Sequence, residues 1–281
     1  MEKELLRQLI IEHIKKHPAN MISEEQSGGN GVAGMKLYDE PLVGFASAGD
    51  ELFEKYKNTG IIGPWYMGPG EWLDGAKTVI SIFFPYSQRV RESNRGEKTE
   101  TSIEWLFGRV EGQMFIETVM KELDEILQKE GMKTCIPSSD SRFAQNSGGK
   151  GFAGFEDISE GVFASNWSER HAGFACGLGM FGLSKGLITK RGMAGRFGSI
   201  IIDAELAPDV RPYTDVYEYC SRCGACIKRC PVEAISLENG KDHVPCKKWM
   251  GVTREKYAPR YGCGKCQIKV PCEDRIPVTS R

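Results

Sequence analysis

The cysteine run between residues 220 and 231 limits what this chain can fold into more than any other feature. Its four cysteines follow the spacing C-x2-C-x2-C-x3-C and precede a proline: Cys220, Cys223, Cys226, Cys230 and Pro231. Thiolates separated by two residues surround one face of an iron–sulfur cubane, because each short turn directs its sulfur to a different iron. In chains with two [4Fe-4S] clusters, the fourth cysteine of this run ligates the other cluster. The run therefore predicts a second set of cysteines downstream.

A second set is present, although its spacing departs from the bacterial ferredoxin repeat. It consists of Cys246, Cys263, Cys266 and Cys272. The crossing rule assigns the eight metal ligands to two clusters: Cys220, Cys223, Cys226 and Cys272 to one, and Cys230, Cys246, Cys263 and Cys266 to the other. The alternative is a pair of zinc sites, but zinc favours separated C-x2-C pairs, which successive gaps of two residues fit poorly. The sequence thus predicts two [4Fe-4S] clusters in a ferredoxin-like module.

The charge of the chain is balanced overall but unevenly distributed. The 281 residues carry 37 Lys and Arg against 38 Asp and Glu, a formal net charge of −1. This balance argues against the basic field expected of a protein that binds nucleic acid over its whole surface. From Lys241 to Arg281, ten basic residues face four acidic ones. That excess either compensates the negative charge of metal–thiolate centres or forms a docking face for an acidic partner.

The N-terminus reads as an amphipathic helix closed by Pro18 and not as a targeting signal. No apolar run approaches the roughly 20 residues that a membrane helix needs, so we expect no membrane association. We expect a cytoplasmic protein, in which thiols stay reduced. The ten cysteines are therefore better interpreted as ligands than as disulfides.

The rest of the chain predicts an α+β fold with two domains. A buried strand is expected at 77–86 and a helix at 104–129, with its core side marked by Met114, Val119, Leu123, Ile126 and Leu127. Strands are also expected at "MKTCI" and "GRFGSIIIDAEL", and the long Ser- and Gly-rich loop 138–154 is expected to be functional or mobile. The change of composition places an α/β domain at 1–206 and the double [4Fe-4S] module at 207–281.

Two further features carry weaker signals. "GLGMFG" at 177–182 matches the letters of a dinucleotide-binding fingerprint, but the strand before it and the helix after it are missing, so its glycines indicate only a close approach of the backbone. Either another element or a flat cofactor would explain that approach. Of the remaining cysteines, Cys135 is interpreted as a small hydrophobe on a strand. Cys176, beside the glycine-rich turn, is interpreted either in the same way or as a functional thiol.

These motifs together resemble a known family. "WSERHAGFACGLGMFGLSKGLIT", "GRFGSIIID", "CSRCGACIKRCPVEAI" and "GCGKCQIKVPCE" are similar to the double-cluster superfamily that contains epoxyqueuosine reductase and the reductive dehalogenases. The resemblance implies a nitroreductase-like α/β domain that holds a cobalamin beside one cluster, with the clusters relaying electrons to cobalt. It therefore implies a corrinoid-dependent reductase, fed by a ferredoxin or flavodoxin and acting on a small-molecule substrate.

The resemblance also suggests where the cofactor would lie. Arg170, Gly177, Gly179 and Gly182, with the loop 138–154, are candidates for the cofactor-binding face. Glu111 is either a proton donor or a solvated helix residue. The family's helical-repeat C-terminus is missing and the net charge is slightly acidic, which argues against tRNA as a substrate. A twin-arginine export signal is also missing.

Two other functions remain open. The chain is alternatively an electron-transfer protein without an organic cofactor, which reduces a partner such as a corrinoid protein; its basic cluster module suits docking to an acidic surface. A flavin-dependent nitroreductase is a third interpretation, for which "SQRVR" is a weak phosphate-site signal. A large apolar pocket at the Gly177 loop would favour the reductase, and a surface-exposed cluster with a filled α/β core would favour the carrier.

Overall fold

The computed structural model describes residues 2–146, 152, 154–155 and 164–278. Its α-helices are α1 (Lys3–Lys16), α2 (Glu24–Ser27), α3 (Glu51–Lys55), α4 (Pro69–Trp72), α5 (Gln88–Ser93), α6 (Ile103–Lys129), α7 (Glu169–Ala175), α8 (Ala225–Arg229) and α9 (His243–Lys256). Its strands are β1 (Leu42–Ser47), β2 (Thr78–Pro85), β3 (Thr134–Cys135), β4 (Gly179–Phe181), β5 (Leu187–Thr189), β6 (Gly195–Ile202), β7 (Ile235–Ser236) and β8 (Gly240–Lys241).

A four-stranded antiparallel sheet forms the centre of the first part, in the order β1-β2-β6-β3. Strand β2 is buried along its whole length because helices cover both faces of the sheet. Its alternate residues Ile80, Ile82 and Phe84 pack against α1 and α6 on one face. On the other face, Val79 packs into an aromatic cluster that includes Phe53 and Trp167. The mixed helix and strand composition predicted from the sequence is thus present.

Strand β3 is much shorter than β6, and this leaves part of β6 open. Thr134 and Cys135 pair with Ile202 and Ile201 at the end of β6. At its beginning, β6 pairs with β2 on one side, and within the described residues no strand pairs with it on the other side. Arg196 and Phe197 lie in this open part and are half-buried. The sheet therefore presents a strand edge between α6 and α7, next to the cysteine module.

Helix α6 agrees with its predicted bounds but not with its whole predicted core face. Ser102 caps it through a bond from the Trp105 amide to the Ser102 hydroxyl at 3.3 Å, and Gly131 follows its end with φ of 83°. Val119, Leu123 and Leu127 are buried as predicted. Met114 is 57% exposed, so its prediction as a core residue is wrong. The buried stripe runs through 111–112, 115–116 and 119–120, and position 114 lies off that stripe.

The glycine segment forms a β-hairpin and not a phosphate loop. Strands β4 and β5 pair antiparallel, with Met180 opposite Ile188, and α7 precedes them. The rejection of the dinucleotide fingerprint from its context is therefore consistent with the observed order of elements. The predicted functional loop 138–154 lies partly outside the described residues, at 147–151 and 153. In the described part of the chain, no helix has the length and apolar character needed to cross a membrane.

Candidate iron-sulfur centres and the adjoining cleft

The first set of cysteines surrounds one enclosed cavity. Three of them come from the loop before α8 and from its first turn, and Cys272 is brought to them from the other end of the module. The cavity is lined by these thiols and by apolar side chains, among them Cys220, Cys223, Cys226, Cys272, Leu183, Ile188, Met193 and Val270. Gly224 begins α8 with φ of 71°, a conformation that favours glycine and folds the chain around the cavity. The structure thus brings the first predicted ligand set together.

The second set of cysteines meets on the other side of α8. Cys230 is buried at the end of that helix, and its sulfur accepts a hydrogen bond from the Ala234 amide at 3.2 Å. Cys246 lies in the first turn of α9 and interacts electrostatically with Cys230 and Cys266. Cys263 in turn interacts with Cys266 and Cys246. These interactions bring Cys246 near Cys230, Cys263 and Cys266, and the assignment of the four thiols to one cluster by the crossing rule stays a prediction.

Helix α8 places the two groups of thiols next to each other. Cys226 lies within it and Cys230 immediately follows it, so each group receives one thiol from the same short helix. Four residues of helix correspond to a rise of about 6 Å. Cys226 also interacts electrostatically with Cys266 of the second group. Two metal centres held here would lie close enough together to exchange electrons.

Burial keeps three of the thiols, Cys226, Cys263 and Cys272, protonated when no metal is bound. Burial raises the pKa of Cys226 and Cys263 to about 11 and that of Cys272 to about 12. Neighbouring thiols add to the effect, since several negative charges in one small cavity repel each other. Only a cationic centre makes four thiolates stable in such a place. The surroundings therefore fit a thiolate-ligated metal cluster and release protons when one binds.

The module is attached to the sheet through the residues after Cys272. The amides of Met193 and Ala194 donate to the carbonyls of Cys272 and Glu273 at 2.9 and 3.1 Å. The Glu273 carboxylate is buried and binds Arg95 Nη2 at 2.7 Å. Because Arg95 comes from the polar loop after α5, that loop has a structural purpose that the sequence did not reveal. The contact holds Cys272 in place beside the first three cysteines.

The same polar loop also holds the second group. Lys265 is completely buried between Cys263 and Cys266, and its Nζ donates to the Asn94 carbonyl at 2.8 Å and to Asn94 Oδ1 at 2.9 Å. Asn94 Nδ2 donates to the Cys263 carbonyl at 2.9 Å. Sequence reasoning missed both residues. The position of Lys265 between two predicted ligand cysteines could have indicated a buried, paired lysine, because a lysine is rarely buried unless it is paired.

Arg170, predicted for the cofactor face, lies near the second group of cysteines. Its side chain is exposed to solvent, yet protein surrounds it so closely that burial lowers the pKa of the guanidinium. Cys266 and Cys246 of the second group interact with it, and so does Arg196 on the open part of β6. We refer to the region between α7, β6 and the second group of cysteines, where Arg170 lies, as a cleft.

Two further arginines, missed by sequence reasoning, extend this cleft. Arg196 Nε donates to Gln113 Oε1 at 3.0 Å, and Arg109 Nη2 donates to the Tyr261 hydroxyl at 3.3 Å. Burial and the nearby Arg196 charge lower the pKa of Arg109. Within the described ranges, Arg109, Arg170 and Arg196 form no ion pair with a carboxylate. We call these three residues the arginine cleft; such a set of cations attracts an anionic group.

The predicted glycines lie against the chain itself. A Cβ at Gly179 would lie 2.1 Å from the Ile188 carbonyl oxygen, and one at Gly182 would lie 3.1 Å from Ile188 Cδ1. Gly177 has φ of 74° and approaches the Val210 carbonyl. Close packing between polypeptide segments therefore accounts for these glycines. Their assignment to a cofactor face stays a prediction without support from the described contacts.

The acidic candidate Glu111 has a structural partner. Arg260 Nε donates to Glu111 Oε1 at 2.8 Å, and its guanidinium stacks on the Phe107 ring at 3.5 Å. Glu111 is buried, so it is not a solvated helix residue, and the ion pair joins α6 to the cysteine module. A different acid, Glu169, has both carboxylate oxygens buried, and within the described residues neither has a partner at full hydrogen-bond geometry, although Ser199 and Trp167 lie nearby. Burial raises its pKa to about 7.

The remaining cysteines are separate from the two groups. Cys176 is buried in the core, and its Sγ donates to the Val79 carbonyl at 3.3 Å. Burial raises its pKa, which keeps the thiol protonated and unreactive. Cys135 is half-buried on β3, 3.7 Å from Asp140 Oδ2, and burial raises its pKa to about 11. These surroundings support the interpretation of both residues as structural.

Comparison with known proteins identifies the iron–sulfur part directly. The family "4Fe-4S binding domain" matches residues 213–236, which include the first four cysteines. Epoxyqueuosine reductase of Aliivibrio fischeri is 30% identical over 125 residues, covering 40% of this chain and 32% of the relative. Epoxyqueuosine reductase of Cellulophaga algicola is 25% identical over 216 residues, covering 73% of this chain and 61% of the relative. The chain shares the 4Fe-4S superfamily of these reductases.

Solved structures of the superfamily have the same fold. A selenomethionine-labelled epoxyqueuosine reductase matches with a TM-score of 0.53 at 17% identity, covering 96% of this chain and 66% of that one. A reductive dehalogenase, described with B12-dependent dehalogenation, matches with a TM-score of 0.52 at 16% identity, covering 84% of this chain and 30% of that one. The aligned parts thus cover from about a third to less than two thirds of the relatives' lengths. The chain therefore has the fold of both groups.

The superfamily corrects one expectation. The sequence argued against tRNA as a substrate, and this argument is wrong. The matched relatives are epoxyqueuosine reductases, and one solved structure, with a TM-score of 0.52 at 17% identity over 96% of this chain and 66% of that one, contains a tRNA-Tyr stem loop modified with epoxyqueuosine. The physical reason is that phosphate contacts depend on local cations, which a net charge of −1 does not measure.

Proposed function

We propose that this chain is a reductase in which two [4Fe-4S] clusters deliver electrons to an acceptor in the arginine cleft. The observation that carries the proposal is the position of the second cysteine group, which lies between the first group and Arg170. Cys223 of the first group is exposed, so electrons from a donor would arrive there. They would then pass along α8 to the second cluster and reach the cleft.

The residues around each group of cysteines fit a bound [4Fe-4S] cluster. Each group supplies four cysteines, and the first surrounds a cavity with an apolar lining that excludes water. The family match covers the first cysteine run, so the second cluster rests on the grouping of Cys230, Cys246, Cys263 and Cys266. The proposal includes a division into a nitroreductase-like domain at 1–206 and a two-cluster module at 207–281.

The acceptor that we propose is a corrinoid. Arg170 supports this proposal because its side chain is exposed to solvent, has no carboxylate partner within the described residues and lies beside the second group of cysteines. Arg170, Arg196 and Arg109 would hold polar and anionic groups of the cofactor or the substrate. When bound, a corrinoid supplies a reducible cobalt centre. The chain itself supplies the walls of the cleft, which limit the access of water, and the cations that orient an anionic group.

The substrate class that we propose is a modified nucleoside in a tRNA stem loop. The relatives are epoxyqueuosine reductases, and the arginine cleft offers cations that phosphate groups can approach. Residues 241–281 also carry ten basic residues against four acidic ones. An RNA strand bound across the module would place its phosphates near these residues and a projecting nucleoside near Arg170.

The test is anaerobic purification, a count of iron per chain and then titration with a corrinoid followed by its visible spectrum. We expect about eight irons, four for each cluster, and a spectral change that saturates at one corrinoid per chain. Arg170→Ala should weaken corrinoid binding about tenfold or more, since it removes a charged contact. Arg89→Ala, which changes an exposed arginine of α5, should leave binding unchanged.

Other outcomes of the same measurement separate the alternatives. About eight irons without corrinoid binding would replace the proposal by an electron-transfer protein that reduces a partner. About four irons would contradict the two-cluster assignment. A loaded protein that reduces an epoxyqueuosine-modified stem loop, and does not change the unmodified loop, would establish the substrate class; loss of stem-loop binding in Arg196→Ala would assign the arginine cleft to it.

A further inference from the structure

The ammonium group of Lys241 lies beside the second group of cysteines. Lys241 Nζ lies 3.8 Å from Cys266 Sγ. The groups that raise the pKa of Lys241 are thiols, with Cys266 first and Cys246 next among them. Its ammonium group therefore faces two members of the second cysteine group, and the proposed function does not use it.

The position of Lys241 is determined by two elements. It ends the short hairpin of β7 and β8, in which it pairs with Ile235, and Gly240, with φ of 65°, follows the turn and begins β8. The next residue, Asp242, caps α9 through its carboxylate, which accepts a hydrogen bond from the Val244 amide at 2.8 Å. Cys246 follows in the first turn of α9. The hairpin and the helix together hold the ammonium group beside the sulfur atoms.

Arg170 approaches the same thiols from the sheet side. Its guanidinium interacts with Cys266 and Cys246, and the Arg170 and Lys241 charges also act on each other. Two like charges placed together in a poorly hydrated region repel each other. Their arrangement is stable when a negative centre lies between them. A thiolate-ligated cluster is such a centre, and it becomes more negative when it is reduced.

The first cysteine group has different surroundings. Its cavity is lined mainly by apolar side chains, and Cys272 Sγ contacts Met193 Sδ at 3.2 Å. Arg222 also belongs to the lining, but its Nη2 donates to the Leu237 carbonyl on the exposed side. The charges that raise the pKa of Cys226 and Cys272 come from other cysteines. The two groups thus differ in the cations that face their sulfur atoms.

We propose that Lys241, supported by Arg170, raises the reduction potential of the second cluster above that of the first, so that an electron entering the chain comes to rest beside the arginine cleft. Reduction adds one electron to the cluster and neither forms nor breaks a bond. An N–H donor to a ligand sulfur and a nearby positive charge both stabilise the reduced cluster. Exposure of Cys223 acts in the opposite direction by stabilising the reduced first cluster, but water screens charges at the surface far more than at Lys241.

This inference rests on the proposed pair of clusters, and Lys241 acts as a positioning residue. The measurement is a potentiometric titration of the anaerobically loaded chain, followed by electron paramagnetic resonance. Two one-electron steps are expected. Cys223→Ser, which changes a ligand of the first group, identifies the step that belongs to the first cluster by altering its signal.

Lys241→Met keeps the length of the side chain and removes its charge. We expect it to lower the potential of the second cluster by about 59 mV or more, equivalent to a tenfold change in the electron equilibrium. Lys241→Arg should restore most of the original value. Lys228→Met, which removes an exposed lysine of α8, should shift neither step.

The outcomes distinguish this inference from the proposed function. Full iron content with two steps that Lys241→Met leaves unchanged, or with the first cluster at the higher potential, would overturn the inference and leave the two clusters intact. Low iron content in the parent chain would contradict the proposed function instead. If Lys241→Met fails to load iron, Lys241→Gln and Arg170→Gln, measured by the same titration, decide the point; an unchanged potential in both variants refutes the proposal.

Discussion

At the scale of single residues, the buried carboxyl group of Glu169 is the clearest case of a costly burial. Glu169, at the start of α7, has two buried carboxylate oxygens, and the nearby Ser199 and Trp167 lower its pKa less than burial raises it. By contrast, buried Glu111 is paired with Arg260, and buried Lys265 with Asn94. A lone buried acid is expected to remain neutral, because ionisation in a poorly hydrated place is costly. Glu169 therefore predicts a pH-dependent stability.

We expect Glu169→Gln to stabilise the protein above pH 7 and to have little effect near pH 4.5. Burial raises the pKa of Glu169 from 4.5 in an unfolded chain to about 7 in the folded one. Between these values the folded state keeps a proton that the unfolded state has released, so stability falls as pH rises. The full difference is about 3 kcal/mol, and the glutamine variant should lack this decline.

The measurement is the free energy of unfolding from pH 4.5 to 8 in both proteins. Glu125→Gln, which changes an exposed residue of α6, provides the control and should keep the decline of the parent chain. If Glu169→Gln and the parent decline in parallel, the carboxyl group is not held neutral in the folded state.

At the scale of elements, the contacts that hold the cysteine module to the sheet are specific and close. A Cβ at Gly192, in the turn between β5 and β6, would lie 2.3 Å from the Asp274 amide nitrogen. A Cβ at Gly264, between two cysteines of the second group, would lie 1.9 Å from Trp105 Cζ2 near the start of α6. Both glycines have positive φ, so any other residue there is strained as well as obstructed. Trp105 and Gly264 therefore fix the distance between α6 and the second group.

Gly264→Ala should separate these two elements. The methyl group would overlap the buried Trp105 ring, and we expect a loss of about 2 kcal/mol or more in stability. Iron bound by the second group should decrease, while the first group keeps its iron. The checks are the iron content and the unfolding midpoint of the loaded chain.

Gly251→Ala is the matched control for this variant. Gly251 lies within α9, and a Cβ there would meet no atom within 4 Å. Alanine is the better helix former, so we expect unchanged or slightly increased stability and full iron content. Equal iron content in the two variants would show that contact between α6 and the second group is not needed for loading.

The elements also show what the sequence alone could predict. The bounds of α6 and the positions of β2 and β6 follow from local periodicity, whereas the assignment of the thiols to two clusters from their spacing stays a prediction. The bond between Lys265 and Asn94 joins residues 171 positions apart, and no local pattern indicates it. The sequence could in principle have indicated a special role for Arg196, because an arginine within an apolar strand is unusual. The exposed Met114 shows that hydrophobicity alone does not locate a helix face.

At the scale of the whole molecule, the two parts of the chain are stabilised by different means. The sheet lies between two clusters of apolar side chains that include α1, α6 and α7. Among the described residues, the small apolar cluster at the second part has four buried members, Leu183 from the first part with Cys230, Ala234 and Ile235, and other cysteines are among the residues packed against it. Such a core is too small to stabilise a domain by burial alone, and metal binding commonly supplies the rest.

Removal of iron should therefore unfold the second part and spare the first. We expect hydrogen exchange of the apo chain to increase in α8 and α9 by several orders of magnitude, with β2 and β6 still protected. The comparison is between loaded protein and protein treated anaerobically with a chelator, at the same pH. A uniform loss of protection through β2 and β6 would show that the parts unfold together and would contradict the proposed division at residue 207.

The path of the chain through the two cysteine groups has a consequence for their biosynthesis. The first group begins at Cys220 and is completed by Cys272, whereas the second begins at Cys230 and is completed by Cys266. The second group is therefore nested inside the first along the chain. During translation its four thiols emerge before the first group is complete, so the inner of the two proposed clusters would have all its ligands while the outer one would still lack one. Assembly in that order would make the exposed outer cluster the last to form, over an inner one already in place.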